Sequence, residues 1–359
     1  MNAGAWTRPT LNLSLAAWRA IRARRREPIA RGLALRFLAA GAAFSALGAL
    51  QRRMYRAELE RLAIRPPLFL VGHWRSGTTL LHELLALDRG FATPTTHACF
   101  NPHHFLLARH RAPAPARAMR PPGDLAVSPD SPQEQEFALL CTGAVSPYEA
   151  FMFPAALTEL EALSDPDRFE PARARAWDGA MTWILKATVY ASGAERRPLL
   201  KSPSDSFRVR RLAALFPGAA FVRLVREPCA VFASTLRLWQ SMWARYALTP
   251  PPGDEALIGH VLATRLALER RLQAALRALP ADRTATLRYE DLVADPRGTL
   301  AMLYDRLALG DPSTLLPHVD AYIARHPAPA AAAQSAEPWR DLVRERWRQM
   351  FDEFGYARG

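Results

Sequence analysis

Leu68-Phe69-Leu70-Val71 is an unbroken apolar run of strand length, bounded by Pro66-Pro67 before it and Gly72 after it. A run of that length between breakers reads as a strand buried on both faces. The pattern recurs downstream. Residues 198–201, 219–226 and 284–288 read as further strands, while 80–88, 205–216, 230–246, 254–279 and 296–307 carry the longer mixed pattern of helices. Strands alternating with helices predict an α/β fold, a three-layer sandwich around a central parallel sheet. Before residue 66 the pattern is helical, broken at Glu27-Pro28 and again at Arg65-Pro66-Pro67. The stretch 111–132 holds six prolines and reads as an extended loop over the active site, followed by a helix over 132–141. No internal repeat is present.

Charge changes this picture at one end of the chain. The net charge is +13, and residues 1–66 hold thirteen arginines against three glutamates, a net of +10 that leaves +3 for the rest. The division predicted is a basic helical arm over 1–66 and a catalytic domain over 67–359. Arg22, Arg24, Arg25 and Arg26 form the densest cluster. Residues 37–50 beside it are uncharged and mostly apolar, too short to span a bilayer and too late for a signal peptide. Two readings of the arm compete: arginines on an anionic membrane surface, or a helical pair packed on the body with its arginines solvated. No aromatic-basic pattern supports nucleic-acid binding. Three cysteines without paired spacing argue for a reducing, cytoplasmic compartment. His97, His103 and His104 lie near Cys99, yet no second ligand pair completes a metal site.

The chemistry begins where the first strand ends. Residues 72–79 read Gly-His-Trp-Arg-Ser-Gly-Thr-Thr and open a helix. Backbone N–H groups at such a turn, with the positive end of a helix, make an anion site. Gly72, Gly77 and Thr79 keep the spacing of the ATP-binding loop, but Thr78 holds its lysine position and the cation is Arg75. Lys201 closes the second strand, Arg226 the third, and Tyr289 follows the fourth. Ligands on parallel sheets bind at these carboxyl ends. Taken alone, Arg226 reads as a solvated strand end, Ser234 as a helix cap and Tyr289 as half-buried sheet.

The joint pattern resembles the sulfotransferases that use 3′-phosphoadenosine 5′-phosphosulfate (PAPS), in their bacterial form. Arg75-Ser76-Gly77-Thr78-Thr79 is similar to the family's 5′-phosphosulfate loop. Arg226 with Ser234 eight residues later is similar to its 3′-phosphate pair, and Arg288-Tyr289-Glu290-Asp291-Leu292 to its segment near the adenine. The resemblance covers roughly residues 66–307. It implies a PAPS-dependent sulfotransferase acting on a hydroxyl, less readily an amine, of a lipid, glycan or other small molecule, with no obligatory metal. Arg75 and Lys201 would meet charge on the leaving oxygen.

Two departures follow from the resemblance. Cytosolic members carry a basic histidine two residues beyond the strand-end lysine, where this chain has Pro203. Glu134 is the leading substitute, with Glu136, His97 and His104 behind it. Glu134 also reads as a capping box with Ser131, with Pro132 opening the helix. The family's C-terminal basic loop is replaced by His326-Pro327-Ala328-Pro329 and an alanine run, leaving Arg325 or Ser335 to wall the 3′-phosphate. Tyr148, Phe151, Met152, Phe153, Trp239, Met242 and Trp243 read as core ahead of an acceptor pocket. The rival classes are a P-loop kinase and a non-catalytic membrane-surface binder that works through the arm alone.

Overall fold

The computed structural model describes residues 11–110, 118–120, 125–326 and 337–357. The described chain forms two compact units. One joins residues up to Arg65 with Ala92–Pro198 and Leu238–Gly253; the other joins Pro66–Phe91, Leu199–Arg237 and residues from Asp254 on. These units cut across a boundary at residue 66, because residues up to 65 fold together with 92–198.

The second unit carries the sheet. Strands β1 (Leu68–Val71), β2 (Phe91–Ala92), β3 (Arg197–Lys201), β4 (Ala220–Val225) and β5 (Thr284–Arg288) lie in the order β2-β3-β1-β4-β5. The β1–β3, β1–β4 and β4–β5 pairings are parallel. β1 therefore sits at the centre and is buried at all four positions, as its uninterrupted apolar run requires. Leu68, Leu70, Leu199, Val222 and Leu224 join Leu81, Leu84, Leu300 and Leu303 from neighbouring helices in one core.

Most helices fall where the pattern places them. Helices Pro228–Tyr246, Asp254–Arg277 and Pro296–Arg306 agree with the sequence to within two residues. Residues 205–216 differ: a 3₁₀ turn, Pro203–Phe207, precedes a shorter helix, Val209–Leu215. The helix expected from 132 starts at Glu136 (Glu136–Thr142), with Gln135 at its cap. The Ser131–Glu134 capping box is not formed: Ser131 Oγ accepts from Ser128 N instead. Of the proline-rich 111–132, residues 111–117 and 121–124 lie outside the described residues. Ala118–Arg120 pairs antiparallel with Leu125–Val127.

In the first unit, α1 (Leu15–Arg24) and α2 (Arg31–Arg61) form the helical pair. Trp18 stacks on Phe37 at 4.3 Å, and Gly41 lets α2 approach the Leu15 backbone. Most of the arginine cluster is turned into the protein, with Arg26 alone of the four exposed. Arg25 is buried and pairs with Glu149 and Glu159, and Arg24 also pairs with Glu149. Arg22 lies over the Trp18 and Phe153 rings. Arg25 is thus buried, and Arg22 and Arg24 are half-buried rather than freely solvated. The carboxylates that pair with Arg24 and Arg25 lie more than a hundred residues away, so the local sequence does not reveal them.

His103 belongs to the same unit. Its Nε2 lies 3.1 Å from both the Asn12 and Cys141 carbonyl oxygens, and burial pushes its pKa down to about 4. Burial likewise lowers His260 of the sheet unit to about 4. Both folded values lie below the ordinary 6.5, so the unfolded chain takes up the protons first. The stability linked to these groups is complete above about pH 6.5 and drains away as pH falls toward 4, by about 2–3 kcal/mol apiece. The urea midpoint should therefore decline across that window. His103→Gln should flatten the decline, and an unchanged slope would refute the assignment.

Candidate active site

The site is built on the turn after β1. Gly72 takes φ +143° and accepts no side chain: a Cβ would meet the Leu224 carbonyl oxygen at 2.6 Å. Ser206 pins this residue from both sides, accepting from Gly72 N at 2.8 Å and donating to Gly72 O at 3.1 Å. Ser76 donates to His73 O at 2.8 Å and closes the turn. Arg75 stands at φ +69°, in the left-handed region that a non-glycine residue enters at a cost. Gly77, at φ +96°, precedes α3 (Thr78–Leu85) and brings no capping side chain. The first-turn N–H groups of α3 therefore meet no capping acceptor from residue 77. A Cβ at Gly77 would overlap the Tyr289 ring at 2.2 Å.

Around this turn the chain gathers three cationic side chains. Arg75 Nε donates to Ser234 Oγ at 2.7 Å. The Arg226 guanidinium lies 4.2 Å from the centre of the Tyr289 ring and donates to the Arg75 carbonyl at 3.3 Å. Lys201 is buried at the end of β3, and its Nζ is 3.2 Å from Thr79 Oγ1. Residues 75–79, Lys201, Arg226, Ser234 and Tyr289 thus meet at the carboxyl edge of one sheet. Ser234 is not a helix cap: it lies inside Pro228–Tyr246, buried, and the cap is supplied by Glu227, whose carboxylate accepts from Cys229 N and Ala230 N. Tyr289 opens helix Tyr289–Ala294 rather than ending a strand.

His73 is part of the turn. Burial holds it well below the usual imidazole range, and Arg265 adds to the effect. The contributions of Ser206 and Glu227 were not legible in advance. Glu227-Pro228 at a helix start is the signal that points to a carboxylate cap, but nothing local marks Ser206 as the partner of Gly72.

Glu134 lies in the first unit, partly exposed. Tyr148 donates its hydroxyl hydrogen to Glu134 Oε2. Tyr148 is itself buried among Phe137, Phe151 and, through Phe151, Trp239. Phe151, Met152, Phe153, Met242 and Trp243 are buried with them, and Trp243 Nε1 donates to Ala150 O at 2.9 Å. These aromatics are core, as expected. Glu136 is fully buried at the start of its helix. His97 and His104 face each other edge to face, and burial lowers the His104 pKa. Arg325 is exposed and donates to Ala321 O within its own helix; Ser335 lies outside the described residues.

A parallel sheet ending in a glycine turn and an uncapped helix defines the class of phosphate-loop α/β proteins. Within that class the chain belongs to the sulfotransferase family, whose model matches residues 66–312. It is similar to the omega-hydroxy-beta-dihydromenaquinone-9 sulfotransferases Stf3 of Mycobacterium bovis and Mycobacterium tuberculosis. Each is 35% identical over 322 residues, covering 88% of this chain and 81% of theirs. The fold is similar to that of sulfotransferase STF9 from Mycobacterium avium (TM-score 0.69, 17% identity, 96% of this chain and 97% of that one). It is also similar to STF1 from Mycobacterium tuberculosis (TM-score 0.63, 21% identity, 87% and 83%). The protein is therefore a transferase that moves a sulfuryl group, and the kinase and non-catalytic alternatives fall away.

Proposed function

We propose that the donor is PAPS, that the acceptor is the hydroxyl of a lipid-like alcohol, and that Glu134 is the general base. The arrangement of Arg75, Lys201, Arg226 and Ser234 around an uncapped helix start is the observation that carries the donor assignment. Two phosphates on one nucleotide need two anion sites. The turn over residues 75–79 suits the 5′-phosphosulfate, and Arg226 with Ser234 suits the 3′-phosphate. Tyr289, under the Arg226 guanidinium, offers an aromatic edge toward the adenine. Bound there, the donor supplies a sulfuryl group whose departure leaves negative charge on the phosphate oxygen.

In this reading the protein's task is positioning and charge neutralisation. Arg75 and the buried Lys201 would oppose the charge that develops on the leaving oxygen. Glu134 would take the acceptor's proton, with Tyr148 fixing one of its oxygens. The lipid-like acceptor is supported by the mycobacterial relatives, which are named for a hydroxylated dihydromenaquinone. The three cysteines, all buried and none in a disulfide, support a reducing compartment. The enzyme would then work in the cytoplasm, peripheral on the inner face of the membrane.

Calorimetric titration with adenosine 3′,5′-bisphosphate against ADP, without added metal, tests the donor. The bisphosphate should bind more tightly. Arg226→Ala should weaken it by about 10- to 100-fold, since a charge-assisted hydrogen bond is worth roughly 1.5–3 kcal/mol, while ADP affinity changes little. Equal binding of the two nucleotides would refute the 3′-phosphate site.

A further inference from the structure

Helix α2 has two unlike sides. Phe37, Gly41, Gly48, Gln51 and Leu59 are buried, and their spacing puts them on one face. That face is bonded to the protein: Gln51 donates to Pro102 O at 2.8 Å and accepts from Leu106 N at 2.8 Å. The opposite face, over residues 35–50, displays Leu35, Leu38, Leu50 and the small Ala39, Ala42 and Ala46 between them, all exposed. Leu35 is 67% exposed and Leu38 41%. No charge interrupts this outward stripe until Arg53, which continues the same line along the helix.

Where the stripe ends, a cavity of about 570 Å³ opens between α2 and the helix Pro171–Ser192. Arg52, Arg53 and Arg56 line it from one helix and Lys186 from the other, with Leu59 and Trp183 as apolar wall. Glu60 and Asp178 also line it, so four cations face two carboxylates. Glu60 is already engaged: its carboxylate pairs with Arg56 at 2.7 Å, and its carbonyl accepts from Lys186 Nζ at 3.1 Å. The Arg56–Glu60 pair is solvent-exposed, and such pairs are worth little and open readily to a stronger anion.

The stretch 37–50 alone is too short to cross a membrane, but the whole of α2, Arg31–Arg61, is long and apolar enough by length and composition, which corrects the expectation from the sequence. A helix with one face packed against protein, here Phe37, Gly41, Gly48, Gln51 and Leu59, is not ringed by lipid, which favours lying along a bilayer over crossing it. We propose that α2 is a membrane-docking surface. The Leu35–Leu38–Leu50 face enters the boundary between headgroups and acyl chains of an anionic bilayer, and the Arg52, Arg53, Arg56 and Lys186 cavity receives a lipid phosphate. Charge complementarity selects this occupant: an apolar stripe running into a cationic cavity matches acyl chain beside anionic headgroup. The surface is not the Arg22–Arg26 cluster, whose Arg24 and Arg25 are spent on Glu149 and Glu159. The inference deepens the peripheral localisation above and shares no residue with the donor site.

Flotation of the full chain with vesicles tests it, using phosphatidylcholine alone and phosphatidylcholine with about a third phosphatidylglycerol. The protein should float with the anionic vesicles and release as salt rises. Arg53→Gln, Arg56→Gln and Lys186→Gln together should lower partitioning on the order of 100-fold. Leu35→Asp with Leu38→Asp should lower it by about 10-fold or more. Both sets should retain wild-type affinity for adenosine 3′,5′-bisphosphate, which separates lost docking from lost folding and from a wrong donor. Absence of flotation with anionic vesicles overturns the proposal, as does flotation that neither set reduces. Calorimetric binding of inorganic phosphate without vesicle binding would assign the cavity to a soluble phosphate instead and also overturn it.

Discussion

Glu134→Gln is expected to reduce kcat for sulfation by about 10²- to 10⁴-fold, the range over which a positioned general base acts. The amide keeps the size of the carboxylate and can still accept the Tyr148 hydroxyl hydrogen, so the local structure should persist. What it loses is the ability to take the acceptor's proton. Affinity for adenosine 3′,5′-bisphosphate should not move, because that ligand makes no demand on a base. Tyr148→Phe should cost less, on the order of 10-fold, since it removes orientation and leaves the base in place. Steady-state rates at saturating donor measure both. A Glu134→Gln enzyme within twofold of wild type would remove Glu134 from the mechanism. Glu136 is fully buried, so His97 and His104 would then be examined first.

Lys201→Ala should produce the second large loss, about 10²- to 10³-fold in kcat, by analogy with deleting one preorganised donor to developing negative charge. The ammonium is buried and 3.2 Å from Thr79 Oγ1, beside the start of α3. Adenosine 3′,5′-bisphosphate lacks the sulfuryl group, so its dissociation constant should change by a few-fold at most. That split distinguishes Lys201 from Arg226, whose loss should appear in binding. Lys201→Arg should not rescue the rate, because a planar guanidinium cannot occupy the site of a compact buried ammonium. If Lys201→Ala weakens bisphosphate binding as much as it lowers kcat, Lys201 is a ground-state ligand and not a transition-state one. Thermal melting of each variant guards against a mere loss of fold.

The strain at the loop has a bearing on both experiments. Arg75 holds a left-handed backbone while its side chain is tied to Ser234 and its carbonyl to Arg226. Three residues, one from the turn after β1, one just past the end of β4 and one from the helix that follows, therefore set one another's geometry. Substitutions at Arg226 and Ser234 should couple rather than add.

Several features could be read from the chain alone because their causes are local. Glycines at 72 and 77 announce backbone conformations that few other residues adopt, and the structure gives both positive φ. The apolar run 68–71 between breakers announces a buried strand, and β1 lies there, while the largely apolar stretches at 198–201 and 219–226 mark β3 and β4. The eight-residue step from Arg226 to Ser234 joins a strand end to a helix whose period turns the serine toward the loop. Chain order and strand polarity then place the cations at one edge. Other features depended on which side chains meet across the sequence. The carboxylates that draw in Arg24 and Arg25 lie more than a hundred residues away, and no local pattern predicts them. Glu134 carries the same local signal whether it caps a helix or faces Tyr148, and only packing of the 148–151 turn decided for Tyr148. The outward face of α2 is another such case. Its apolar pattern is evident in the chain, but which side is buried became definite only when Gln51 found Pro102 and Leu106. Periodicity and backbone sterics act over a few residues; ion pairing and burial act between residues that the fold alone brings together.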